Sequence, residues 1–175
     1  MSILLRRLPL RLLRAGAAVG TCIVLVQMSA RAQEGADANA RIVGSWRVLT
    51  YELEFQDGGE RVLPLGDRPN GYLVFGADGR MMAYLEAGGR KAPRSDEERA
   101  AAYRSMLAYT GKYRVEGGKW TTKVDGTWNV EWAGTDQERY FTLAGDRLTV
   151  TAQWNPNPLY NRRMTRGRLT FQREK

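Results

Sequence analysis

Tyr113-Arg114-Val115-Glu116-Gly117-Gly118-Lys119-Trp120-Thr121-Thr122-Lys123-Val124-Asp125 carries the plainest pattern in the chain. Tyr113 and Val115 alternate with Lys112, Arg114 and Glu116, and Trp120, Thr122 and Val124 alternate with Lys119, Thr121, Lys123 and Asp125. A period of two sends successive side chains to opposite faces of a strand, so each run has one apolar face and one wet face. Two glycines between the runs give the backbone freedom that a two-residue hairpin demands. The stretch is an antiparallel pair.

The same pattern continues on both sides. Upstream, strands are expected over residues 42–55, 71–75 and 80–86, the last two joined by Gly76-Ala77-Asp78-Gly79. Between them lie the turn Asp57-Gly58-Gly59 and a loop running from Pro64 to Asn70. The period changes once, after Ser95. Ser95 with Glu98 three residues on is a capping box, Asp96 and Glu97 suit a positive helix start, and Tyr103, Met106 and Leu107 share a side, so a helix is expected over residues 96–108. Its narrow, non-basic apolar stripe points to packing on the domain. Downstream, Arg139, Phe141 and Leu143 share one strand face, Ala144-Gly145-Asp146 turns, and Leu148, Val150 and Ala152 share the next. A polar loop with Pro156 and Pro158 precedes a last strand in which Leu169, Phe171 and Arg173 are in phase. Eight strands in meander order can make a sandwich or a barrel. Closure removes exposed edges and leaves an interior that can hold one small ligand. The expected fold is an all-β, eight-stranded, antiparallel up-and-down barrel with one short helix between strands three and four.

The start of the chain reads differently. Residues 1–32 combine Arg6, Arg7, Arg11 and Arg14, an apolar run from Ala15 to Met28, and Ala30-Arg31-Ala32, the layout of a cleavable signal peptide. The apolar core spans about 14 residues, short of the ~20 of a membrane-spanning helix. The expectation is therefore export with cleavage after Ala32, a periplasmic or secreted product with no stable membrane span, a flexible leader over 33–41 and one domain over 42–175. Cleavage removes five arginines and no acid, leaving 22 of 27 basic residues against 19 acids and taking the net charge from +8 to +3. That balance argues against nucleic acid as a partner. The single Cys, Cys22, leaves with the leader, so no disulfide is expected. With no His anywhere, a Ser-His-Asp triad, a Cys-His dyad and the commonest transition-metal ligand are excluded together.

Gly44-Ser45-Trp46 on the first strand is similar to the Gly-x-Trp pattern of lipocalins and their avidin-like relatives. With Pro64-Leu65-Gly66, Gly71-Tyr72-Leu73, Asp78-Gly79, Asp96-Glu97-Glu98, Tyr109-Thr110-Gly111-Lys112-Tyr113 and Gly134 through Phe141, the chain resembles the lipocalin-like domain family of the calycin superfamily over residues 42–173. Relatives often carry a His on the fifth strand, where this chain has Thr122 and Lys123, so His-dependent chemistry does not carry over. The resemblance implies that Trp46 plugs the closed end beneath Arg173 and that Gly44, Trp46 and Arg173 are structural.

Arg139 is the foremost candidate for ligand contact. Its phase with Phe141 and Leu143 points it inward, and an enclosed cation requires a carboxylate, carbonyls or an anionic ligand. Either it holds the acid group of a fatty-acid-like or other anionic molecule, or Glu138 or another internal acid pairs with it near a barrel mouth, or the strand is frayed there. Tyr72, Met82, Tyr84, Tyr113, Trp120 and Phe141 are expected to line an apolar pocket, or else to fill the barrel. Trp128 and Trp132 either close an entrance or pack outside. There is no Gly-x-Ser-x-Gly elbow, no phosphate-cradling glycine loop and no carboxylate set at metal-ligand spacing. The expectation is a monomeric, exported barrel that encloses a small lipophilic molecule, neutral or anionic, with no cofactor, metal or catalytic residue assigned. Its rivals are a cofactor-independent cyclase or isomerase using Asp125, Asp136, Glu138 or tyrosines, and a filled barrel acting as an envelope interaction module.

Overall fold

The computed structural model describes residues 40–157 and 160–175. The signal peptide and most of the leader expected from the sequence lie outside the described residues. The strands are β1 (Gly44–Phe55), β2 (Asn70–Phe75), β3 (Arg80–Glu86), β4 (Met106–Glu116), β5 (Lys119–Thr127), β6 (Asp136–Ala144), β7 (Arg147–Ala152), β8 (Asn155–Asn157) and β9 (Arg163–Arg173). Helix α1 (Asp96–Arg104) connects β3 to β4, and a 3-10 turn (Val130–Trp132) connects β5 to β6. Each strand from β1 to β7 pairs antiparallel with the next, β7 pairs with β9, and β9 returns to pair with β1. Eight strands thus close an up-and-down barrel, as expected. The ninth, β8, pairs with the outer end of β9 alone.

The hairpin at Gly117-Gly118 forms as read: Glu116 pairs with Lys119, and Gly117 takes φ 60°, a left-handed value that costs glycine nothing. Two irregularities shape the wall. In β1, Val48 faces Phe171 and Thr50 faces Thr170, so Leu49 is an extra residue. Such a bulge shifts the inward parity: Trp46 and Val48 face in below it, and Tyr51 above it. Between β4 and β5, Thr110 pairs with Gly126 but Gly111 with Val124, leaving Asp125 as the extra residue. Asp125 turns outward to Arg80, 2.9 Å away.

Three expected boundaries move. The helix ends at Arg104 and not at residue 108, because Met106 to Lys112 continue the sheet against Glu86 to Arg80; pairing a whole edge outweighs the local preference of three helix-compatible residues. Its start is as expected, with Ser95 Oγ accepting from the Glu98 amide at 3.2 Å, although Glu98 accepts from the Arg94 amide and not from Ser95. Residues 40–42 are helical, where a leader and then a strand were expected. The polar segment after β7 contains the short strand β8.

Candidate functional site

One end of the barrel is solid. Phe75 meets Tyr113 and Trp120 edge-on at 5.0 and 5.1 Å, and Trp120 meets Phe141 at 5.6 Å. Ile42, Val124, Leu148 and Phe171 fill around them, all buried. Trp46 is fully buried and donates its indole N–H to the Ile42 carbonyl at 2.8 Å. The Arg173 guanidinium lies 4.0 Å from the centre of the Trp46 ring and donates to the main-chain carbonyls of Arg41 and Val43. A cation stacked this way contributes about 0.5–2 kcal/mol. Gly44 is required there by its backbone. Its φ is +128°, and a Cβ would stand 2.8 Å from Arg173 Nη1.

The other end is hollow. A cavity of about 400 Å³ lies inside the sheet. Leu73 of β2, Ala83 and Leu85 of β3, Trp120 of β5, Val150 of β7 and Phe171 of β9 make its apolar depth. Toward the mouth the wall turns polar, with Gln137 and Arg139 of β6, Gln153 and Asn155 after β7, and Thr165 and Arg166 of β9. Tyr51 and Tyr109 stand in this wall as well. Tyr51 fits because Gly167 lies against it: a Cβ there would be 3.0 Å from the ring.

The mouth has an uneven charge balance. Arg166 Nε binds Glu54 Oε2 at 2.7 Å and stacks on Trp154 at 4.5 Å, and its hydrogen bond is the chief reason the Glu54 carboxyl sits below its ordinary pKa. Among the described residues Arg139 has no such partner. Its Nη1 donates to the Glu138 main-chain carbonyl at 2.7 Å and its Nη2 to Gln137 Oε1 at 3.2 Å, with the guanidinium 5.6 Å from the Trp132 ring centre. The Glu138 carboxylate is taken by Lys119 at 2.6 Å and by Gln153 at 2.7 Å. Burial pushes the Tyr51 and Tyr109 phenols up in pKa, and the charge of Arg139 pulls partly the other way on both.

A family model described as a lipocalin-like domain matches residues 43–174, most of the chain and the whole barrel. The chain belongs to the lipocalin-like domain family. No curated protein matches it. A lipocalin-like barrel is suited to holding small molecules, and the cavity lies in the interior where such a barrel would hold one.

Within this lipocalin-like barrel the expected residues separate into three groups. Arg139 and Trp120 line the cavity. Tyr113 and Phe141 are buried but belong to the packed end, where the Tyr113 hydroxyl donates to the Gly76 carbonyl at 3.0 Å. Tyr72, Met82 and Tyr84 are corrected: they lie on the outer face, exposed by 42%, 54% and 40%. Gly71, Leu73 and Phe75 of β2 and Met81, Ala83 and Leu85 of β3 are the buried set. Both strands carry apolar residues on both faces, so alternation could not choose the parity, and a one-residue slip exchanges the faces. The sequence reading missed Tyr51, hidden by the unforeseen bulge, and Tyr109, hidden by the overlong helix. Trp132 lines the cavity and meets Tyr109 edge-on at 5.5 Å, whereas Trp128 lines an apolar groove outside with Met82 and Tyr84.

A larger groove, about 740 Å³, runs between α1 and residues 90–94. It is broad and open and lies outside the barrel. Among the described residues no cluster of His, Cys, Asp or Glu could hold a metal ion, and no helix is long and apolar enough to cross a membrane.

Proposed function

We propose that this protein is an exported carrier that encloses one small lipophilic molecule in the open half of its barrel. The cavity carries the reading. It falls in the size range of small-molecule sites, about 300–1,000 Å³, and has the usual make-up of apolar walls with a few polar groups. Burial of the ligand's apolar surface supplies the affinity, at roughly 25 cal/mol per Å² before the costs of association. Export rests on the basic start, apolar run and Ala30-Arg31-Ala32 of the leader.

Native mass spectrometry of the protein purified from its own source tests the carrier reading. A retained small molecule at one per chain supports it. A clean apo mass, together with failure to take up any environment-sensitive apolar dye, removes it. N-terminal sequencing of the exported protein tests the leader, with a start at Gln33 expected.

A further inference from the structure

We propose that the enclosed molecule carries a single acid group, seated on Arg139 beside the hydroxyls of Tyr51 and Tyr109, with its apolar part directed toward Trp120. This rests on the carrier reading above and adds the chemistry of the guest.

Three observations converge on it. First, the cavity wall holds two arginines and no acidic residue. Arg166 is matched by Glu54, whereas Arg139 has no ion-pair partner among the described residues, because the Glu138 carboxylate serves Lys119 and Gln153. A half-buried cation without a counter-charge is costly, and an anion brought into the cavity offsets that cost.

Second, the groups at the proposed seat have donors to spare. A guanidinium has five N–H groups, and those of Arg139 make two hydrogen bonds. The Tyr51 and Tyr109 hydroxyls make none among the described residues, and burial keeps both protonated. An acid group brings two oxygens that accept several such bonds and none that competes.

Third, the guanidinium is already oriented. Gln137 Oε1 and the Glu138 carbonyl fix one edge, and the Trp132 ring lies alongside. A head group meeting it pays little reorganisation, and the apolar depth below admits only a tail.

The test uses the purified protein and three probes sharing one chain: dodecanoate, dodecanol and dodecylammonium, titrated below their aggregation concentrations by quenching of intrinsic tryptophan fluorescence. Dodecanoate is expected to bind about tenfold or more tighter than dodecanol, with the ammonium weakest. Arg139→Leu brings dodecanoate down to the dodecanol level and leaves dodecanol unchanged. Tyr51→Phe and Tyr109→Phe each weaken dodecanoate about threefold to tenfold and spare dodecanol, so they carry the test if Arg139→Leu does not fold. Equal binding of acid and alcohol, or equal loss of both in these variants, overturns the head-group assignment and leaves the carrier standing. Binding of no probe overturns both.

Discussion

The two ends of the barrel are built from the same eight strands on opposite terms. At the closed end, aromatic rings fill the space and Arg173 ties the incoming chain to Trp46 through two carbonyls. At the open end, the rim is held by ion pairs: Arg163 to Asp57 at 2.6 Å and Arg166 to Glu54 at 2.7 Å. Packing in water-free contact stabilises far more than solvent-screened charges do. The closed end therefore carries the fold, and the open end can keep a void and an unmatched cation.

The difference can be broken most directly at Trp46. Trp46→Ala is expected to cost about 3–5 kcal/mol, measured by urea unfolding, because a large buried ring leaves a hole that its neighbours cannot fill. Gly44→Ala or Arg173→Met should cost less, about 1–3 kcal/mol, through the strained φ and through the lost stacking and carbonyl bonds respectively. A matched pair of enlargements sharpens the contrast. Leu148→Trp, in the packed end, should destabilise by about 1–3 kcal/mol. Leu85→Trp, beside the void, should change stability by less than about 1 kcal/mol while abolishing uptake of apolar dye. Either a rise in dye binding or a stability loss equal to that of Leu148→Trp would erase the distinction.

The smallest effect belongs to Glu54. Arg166 holds its folded pKa below the ordinary value, so the pair stabilises the fold fully above the usual carboxylate range, and that contribution is lost as pH falls through the depressed folded value. Glu54→Gln should lower stability at neutral pH by about 1 kcal/mol or less and flatten the acid limb of the stability–pH curve. A variant whose acid limb matches the parent would assign that limb to other carboxylates.

How much of this was legible in the sequence follows from where the alternation is clean. β4–β5 has polar residues on one face, so the placement of Tyr113 and Trp120 inside could be read directly. Trp46 and Arg173 were readable through the Gly-x-Trp resemblance, and the register pairs them directly. The cavity was harder. In β2 and β3 apolar side chains cover both faces, so Tyr72, Met82 and Tyr84 were placed inside when Leu73, Ala83 and Leu85 hold that position. Tyr51 depends on an extra residue that leaves no mark in a run of mixed strand formers. Tyr109 depends on where a helix yields to a sheet, and long-range pairing settles that point. The partner of Arg139 was open for a related reason: Glu138 is adjacent in sequence, but alternation sends it to the other face, to Lys119.

The extra residue at Leu49 has a consequence for how such a protein can change. It divides β1 into two half-strands whose parities are uncoupled, as a slipped gear uncouples two shafts. Deleting that one position would leave Thr50 opposite Thr170 and Tyr51 opposite Leu169, so β1 would alternate without a break and Tyr51 would keep its place in the lumen. A one-codon loss there is one the barrel can absorb, because the partner strand never counted that residue.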